Sequence, residues 1–325
     1  VYVRVHELPL DGGMGGAGLE SCNATGAVYN PHDMPLCSGA SGPGTPGSCA
    51  AGDIGGRTGG LGVSSGTVSG AVEDGGVTLF GTESIAGRSV VLVDGDGAVL
   101  GCGSIGFSGQ VKTLVSRFVG PAVYGTVTFR QLVGRPESET SVLVDLSLGN
   151  GDGDGEVARV PWHVSGGAAE DGVNCEAAGA DGSVFDPFGA CGDGGCGALC
   201  GSEGWLEQLG CAVGGLSSKH GDVVVGRRHV LTDAQLPLAG DNSIEARGVV
   251  VGDGSSSGCG RAMEEPTREV RAAVAVGGVT GDVVFSQEHA QGQVTVTVSL
   301  GGVEGVSDVY VRVHELPLDG GMGGA

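Results

Sequence analysis

The chain is short of aromatic residues, of basic residues and of histidine, and each shortage narrows what it can be. Phe, Trp and Tyr together make up 4% of the 325 residues. A core built from Val, Leu, Ala and Ile buries less area per residue than an aromatic-rich one, so covalent staples are expected. Lys and Arg number 16 against 38 Asp and Glu, a formal charge of −22. Nucleic acid and anionic bilayers repel a polyanion, so neither is expected as a partner. No apolar run approaches the roughly 18 residues that span a bilayer, which argues against membrane insertion. The opening residues VYVRVH read as a strand rather than a cleavable leader, and any leader is expected outside this sequence. No window of helical length joins a 3.6-residue period to caps, and Ala262–Ala275 comes nearest.

Ten cysteines are present, an even count suited to an oxidising, extracellular compartment. Period-two runs dominate: YVRVHEL, RSVVLV, GTVTFRQLV, SVLVDLSL, DVVVG and GQVTVTVSL. They are rich in Val and Thr and bounded by Gly, Asp and Asn clusters, the signature of strands and turns. The expected fold is all-β, a tandem pair of Greek-key β-sandwich or barrel domains stapled by disulfides.

Self-similarity is the most informative feature. Residues Val1–Ala17 recur unchanged at Val309–Ala325, a period of 308. This fits either a window on a tandem array or a duplicated end. A weaker repeat lies inside it. CAAGDIGGRTG from Cys49 matches CAVGGLSSKHG from Cys211, and SIAGRSVVLV from Ser84 matches SIEARGVVVG from Ser243. GTVTFRQ from Gly125 matches GDVVFSQ from Gly281. The offsets of 162, 159 and 156 are each close to half the period, so the unit is a domain of about 150 residues. The expected boundaries are 1–105, a barrel without its first strands; 106–263, a complete barrel; and 264–325, a linker with the first strands of the next copy. An unclosed sandwich exposes strand edges, so further copies of the chain, joined head to tail, are the expected partner.

These segments, with CNATGAVYNP from Cys22, resemble the copper-zinc superoxide dismutase family and in particular its extracellular copper-only branch, which includes repeat proteins. The resemblance spans nearly all of both repeats. It implies a copper site of four imidazoles, suited to nitrogen ligands and redox cycling. Carried onto this sequence, the ligand positions are Arg4, His6, Val28 and Val93 in one barrel, and Pro161, His163, Val184 and Gly252 in the other. Each set keeps one histidine. The substrate-steering arginine falls on Val99 and Ser256, and the zinc carboxylate on Asp53 and Gly215. The expectation is therefore no catalytic residue, no metal and no cofactor.

The resemblance also implies the bridges Cys22–Cys102, Cys175–Cys259 and Cys37–Cys49. The four remaining cysteines allow three connectivities, of which Cys191–Cys196 with Cys200–Cys211 is expected. His32, His220, His229 and His289 read as loop or turn residues. Asn150–Glu156, NGDGDGE, has half the ligands of a calcium loop and reads as a hairpin turn. Asn23 opens the one N-glycosylation sequon, so glycan is an expected appendage. Together these features favour a structural protein of an extracellular fibre or matrix, over a copper-only dismutase or a metal- or glycan-binding module.

Overall fold

The computed structural model describes residues 1–10, 19–37, 49–135, 138–149, 157–167, 184–190, 200, 210–252, 257–265, 268–276, 278–287, 294–303 and 311. It divides into two compact units, Val1–Pro266 with His289–Gln293, and Thr267–Glu288 with Val294–Ala325. Both segments expected as separate barrels, 1–105 and 106–263, lie in the first unit.

Val- and Thr-rich alternation gives strands throughout. In the first unit they are β1 (Tyr2–His6), β2 (Val63–Ser64), β3 (Thr67–Val68), β4 (Ser89–Val93), β5 (Val99–Ser104), β6 (Val111–Val119), β7 (Val123–Leu132), β8 (Thr140–Leu148), β9 (Ala158–Val160), β10 (Trp162–Val164), β11 (Val223–Val225), β12 (His229–Asp233), β13 (Gly248–Val251) and β14 (Gly258–Glu264). Two single-turn helices, α1 (Ile54–Thr58) and α2 (Leu216–His220), and a 3-10 turn at Leu19–Thr25 complete it. The second unit holds β15 (Arg268–Val276), β16 (Val279–Gln287) and β17 (Val294–Gly301). The segment nearest to helical periodicity, Ala262–Ala275, thus carries the end of β14 and most of β15.

β6, β7 and β8 form a meander, and β14 returns beside β6, the order of a Greek key. The full antiparallel sheet runs β10-β13-β14-β6-β7-β8-β12. Its inner face buries Leu114, Phe118, Val127, Phe129, Val142, Val144, Trp162, Val164, Leu236, Leu238 and Ile244 as one core. Residues 1–105 form a smaller sheet, β1-β4-β5, over Val5, Tyr29 and Ile85.

The smaller sheet copies part of the larger one bond for bond. Val5 N donates to Gly52 O at 2.8 Å, Tyr29 N to Val5 O at 2.8 Å and Gly52 N to Tyr29 O at 2.7 Å. In the larger sheet Val164, Phe185 and Gly214 make the same three bonds, each at 2.8 Å. No side chain fits at either glycine: a Cβ on Gly52 would stand 2.2 Å from Val5 O, and one on Gly214 2.3 Å from Val164 O.

Disulfides join Cys22 to Cys102, Cys37 to Cys49 and Cys200 to Cys211. Cys259 is also disulfide-bonded. Cys175, Cys191 and Cys196 lie outside the described residues, as do the 150–156 turn, His289 and nearly all of the 309–325 copy of residues 1–17.

Candidate functional site

Strand register gathers the four expected ligand positions of the first repeat on one sheet face. β1 and β4 pair antiparallel with Tyr2 opposite Val93, Arg4 opposite Val91 and His6 opposite Ser89, and Val28 bridges His6. Directly opposed residues, and every second residue along a strand, share a face. Arg4, His6, Val28 and Val93 therefore share one side of the sheet, and Val5 faces the core behind it.

The second repeat requires a correction. The bond-for-bond match makes Val164 the counterpart of Val5. His163, opposite Val250, then stands in the place of Arg4, and Ser165, which bridges Val184, stands in the place of His6. The sequence correspondence of Pro161 with Arg4 and His163 with His6 is two residues out of register. Pro161 is the counterpart of Tyr2, and its carbonyl accepts from Gly252 N at 2.7 Å. A shift of two preserves the face, which is why the pattern of alternation did not expose it. Each repeat still presents one imidazole, His6 in one and His163 in the other, at different places along the strand.

The residues at this face do not fit a redox copper. Where the first nitrogen ligand would be, Arg4 Nε lies 3.3 Å from Oδ1 of Asp53, a carboxylate only 1% exposed. Asp53 Oδ2 accepts from Cys37 N at 3.0 Å. A guanidinium paired with the acidic side chain thus stands at this ligand position. His6 Nδ1 lies 2.9 Å from Gly26 O and 3.0 Å from Thr25 Oγ1, whose own hydroxyl donates to Cys22 O at 2.7 Å. Both neighbours accept, so Nδ1 carries the proton. Burial lowers the pKa of His6 below its ordinary value and the Arg4 charge adds to this, against the opposing Gly26 bond and Glu7 charge. Val28 and Val93 offer no donor. Among the described residues no three His, Cys, Asp or Glu side chains converge.

What the two repeats do share is a set of packing devices. Arg88 stacks 3.8 Å over the Tyr29 ring and Arg247 stacks 3.6 Å over Phe185. Each donates Nε to the carbonyl four residues back, Ser84 and Ser243, and Nη1 across to Glu7 O and Gly166 O. Arg88 alone reaches on to Val230 O, tying residues 1–105 to β12.

A second device is a buried ion pair. Arg57, 2% exposed, grips Asp74 with Nε at 2.8 Å and Nη2 at 3.0 Å. At the matching place Lys219 Nζ lies 2.6 Å from Asp233 Oδ2, both fully buried, and His220 Nε2 lies 2.9 Å from the same oxygen. Burial alone would raise the Asp233 pKa, but the Lys219 charge and the His220 contact outweigh it and hold the carboxyl far below its usual range. His220 is therefore part of a buried cluster, beyond the loop role its sequence suggested. The signal was present: Arg57 and Lys219 hold the ninth position of the matched Cys49 and Cys211 segments. Near this cluster a cleft of about 300 Å³ is lined by Thr82, Arg159, Trp162, His220, Asp222 and His229. Burial lowers the His229 pKa, helped by the charges of Arg227 and Arg159.

No protein-family profile and no curated protein matches the chain. Among solved structures it is similar to superoxide dismutase 5 of Candida albicans. The copper(II) form shares 20% identity over 48% of this chain and 93% of that one, with a TM-score of 0.35. Two single-residue variants of the same enzyme match at 18% and 19% identity, over 52% and 47% of this chain and 96% and 91% of theirs, with TM-scores of 0.35 and 0.34. At these scores the likeness carries no argument, and the all-β Greek-key fold rests on the strands themselves.

Proposed function

We propose that the chain is a non-catalytic structural repeat protein, built from superoxide dismutase-like domains and assembled head to tail into an extracellular fibre or matrix. One contrast carries this reading. The devices that hold the fold, an arginine on an aromatic ring, a buried cation–carboxylate pair and a disulfide to the β5 or β14 strand, occur in both repeats. The positions that would hold a metal carry one imidazole per repeat, at two different places. Selection for packing alone would leave that pattern. The disulfides suit an oxidising compartment, and Asn23, exposed beside the Cys22 bridge, suits a glycan acceptor. Among the described residues no helix is long and apolar enough to cross a membrane.

The test is metal analysis with a dismutase assay on chain refolded with excess Cu(II) and then desalted. The reading expects no retained copper and a rate equal to buffer. Copper near one ion per repeat, with superoxide turnover, would replace it with the enzyme. Introducing Arg4→His, Val28→His and Val93→His together should create the four-imidazole face around His6 and bring copper retention with it.

A further inference from the structure

The second unit is the meander β15-β16-β17, and it repeats β6-β7-β8 in register. Leu114 lies opposite Phe129 and Val127 opposite Val144; correspondingly Val270 lies opposite Phe285 and Val283 opposite Val298. Both meanders carry, near the start of the middle strand, a glycine whose backbone leaves no room for a side chain. Gly125 has φ +123° with a would-be Cβ 2.2 Å from Asp145 O, and Gly281 has φ +144° with one 2.0 Å from Ser299 O.

The two meanders differ in what covers them. In the first, Leu114, Phe129, Val142 and Val144 are 0% exposed beneath β10, β13 and the Leu236–Leu238 segment. In the second, their counterparts include Val270 at 64%, Val296 at 45% and Val298 at 43% exposed. Val270, Ala272, Val274, Val283, Phe285, Val296, Val298 and Leu300 fall on one face of this three-stranded sheet by alternation. Val283 is buried at 7%, and water is a poor neighbour for the rest of that apolar face.

The complementary cover exists in residues 1–105. β1, β4 and β5 are the counterparts of β10, β13 and β14, but β5 is an edge strand in its sheet, whereas β14 goes on to pair with β6. Leu238 is buried at 0% and its counterpart Leu79 is 62% exposed. Val72, the counterpart of Leu231 on β12, is 43% exposed, and it lies outside any strand. The same chain thus carries a half-core lacking its meander and a meander lacking its half-core.

We infer that β15-β16-β17 of one molecule docks on residues 1–107 of a second copy, with β15 adding to the open edge that runs from β5 on through Ile105–Phe107 and completing a barrel between chains. This rests on the structural reading above and gives its assembly an interface. The β14–β6 register, Ala262 opposite Ser116, Met263 opposite Val115 and Glu264 opposite Leu114, fixes the expected one. Ile105 lies opposite Ala272, Gly106 opposite Arg271 and Phe107 opposite Val270. Main-chain bonds along that edge supply affinity, and the valine face covering the exposed Leu79 and Val72 supplies specificity. Donor and acceptor surfaces differ, so the contact is heterologous and propagates as a filament unless it closes into a ring.

The experiment mixes two full-length variants, Gly106→Cys and Arg271→Cys, under mild oxidation, with sedimentation velocity on the parent chain alongside. The inference expects a mixed disulfide-linked dimer from the mixture, little from either variant alone, and concentration-dependent species beyond dimer for the parent. Val298→Asp, in the docking face, should reduce the parent to monomer while circular dichroism stays that of a β protein. Monomers at every concentration overturn it, as does a double Gly106→Cys/Arg271→Cys chain that closes a bridge only within itself. Neither result bears on copper, so the non-catalytic reading and this interface stand or fall separately.

Discussion

Lys219 and Asp233 form an ion pair with no solvent exposure, their charged atoms 2.6 Å apart, and 159–162 residues earlier Arg57 and Asp74 form the same pair. A buried charge is tolerated when its partner and remaining hydrogen-bond positions are filled, and Lys219 Nζ also donates to Val213 O at 2.8 Å. Removing one member strands the other. Asp233→Asn should cost about 3–5 kcal/mol in a denaturant titration. The double variant Lys219→Met/Asp233→Leu should recover most of that, because no lone charge remains. Equal losses in the single and double variants would show that the pair, rather than the stranded lysine, sets the stability.

Acid should weaken the first unit before carboxylates titrate. His6 and His229 have pKa values lowered in the fold, chiefly by burial. The unfolded chain then binds more protons than the native one as the pH falls below the ordinary histidine value of 6.5, so stability drops with acidification through that window. His6→Gln should flatten this part of the pH–stability curve. Asp233, with its pKa lowered, acts further down: its contribution is whole above the ordinary carboxylate value and is lost as the pH falls towards its depressed one.

The stacked arginines are predicted to matter unequally. Arg88→Leu and Arg247→Leu each lose a cation–π contact and leave carbonyls short of a donor, about 2 kcal/mol or more in all. Arg88 also bonds to Val230 O, so its loss should in addition raise amide hydrogen exchange at β12. Identical exchange patterns for the two variants would refute that link.

Reduction of Cys22–Cys102 opens a span of 80 residues, and by the chain-entropy argument Cys22→Ala/Cys102→Ala should lose about 4 kcal/mol. Thermal melts of the variant beside the parent measure it. The core cluster of the β1-β4-β5 sheet, Val5, Tyr29 and Ile85, is much smaller than that of the larger sheet, so this sheet should be the part that opens first.

The strands were legible because alternation is a local property: SVLVDLSL places Val142, Val144, Leu146 and Leu148 inward. The repeat was legible as well, since its glycines, cysteines and arginines stand at positions where close approach, bridging or stacking forbids substitution. The offset between His163 and His6 was not. It depends on which carbonyl Val164 meets, and a slip of two residues leaves the inward and outward faces unchanged. The matched positions of Arg57 and Lys219 marked the cations, but that Asp74 and Asp233 are their partners was hidden, because the residues between carry no periodic pattern.

Composition and spacing by themselves determined an anionic, disulfide-bonded, all-β chain with an internal repeat, since these follow from residue types and their short-range order. Only the tertiary structure decided that Arg4 lies against Asp53 on the face shared by His6, Val28 and Val93, and that the counterparts of one buried core stand open on β15-β16-β17. Contacts of that kind join residues far apart in sequence, and they are fixed by cross-strand register and burial, which no local pattern encodes.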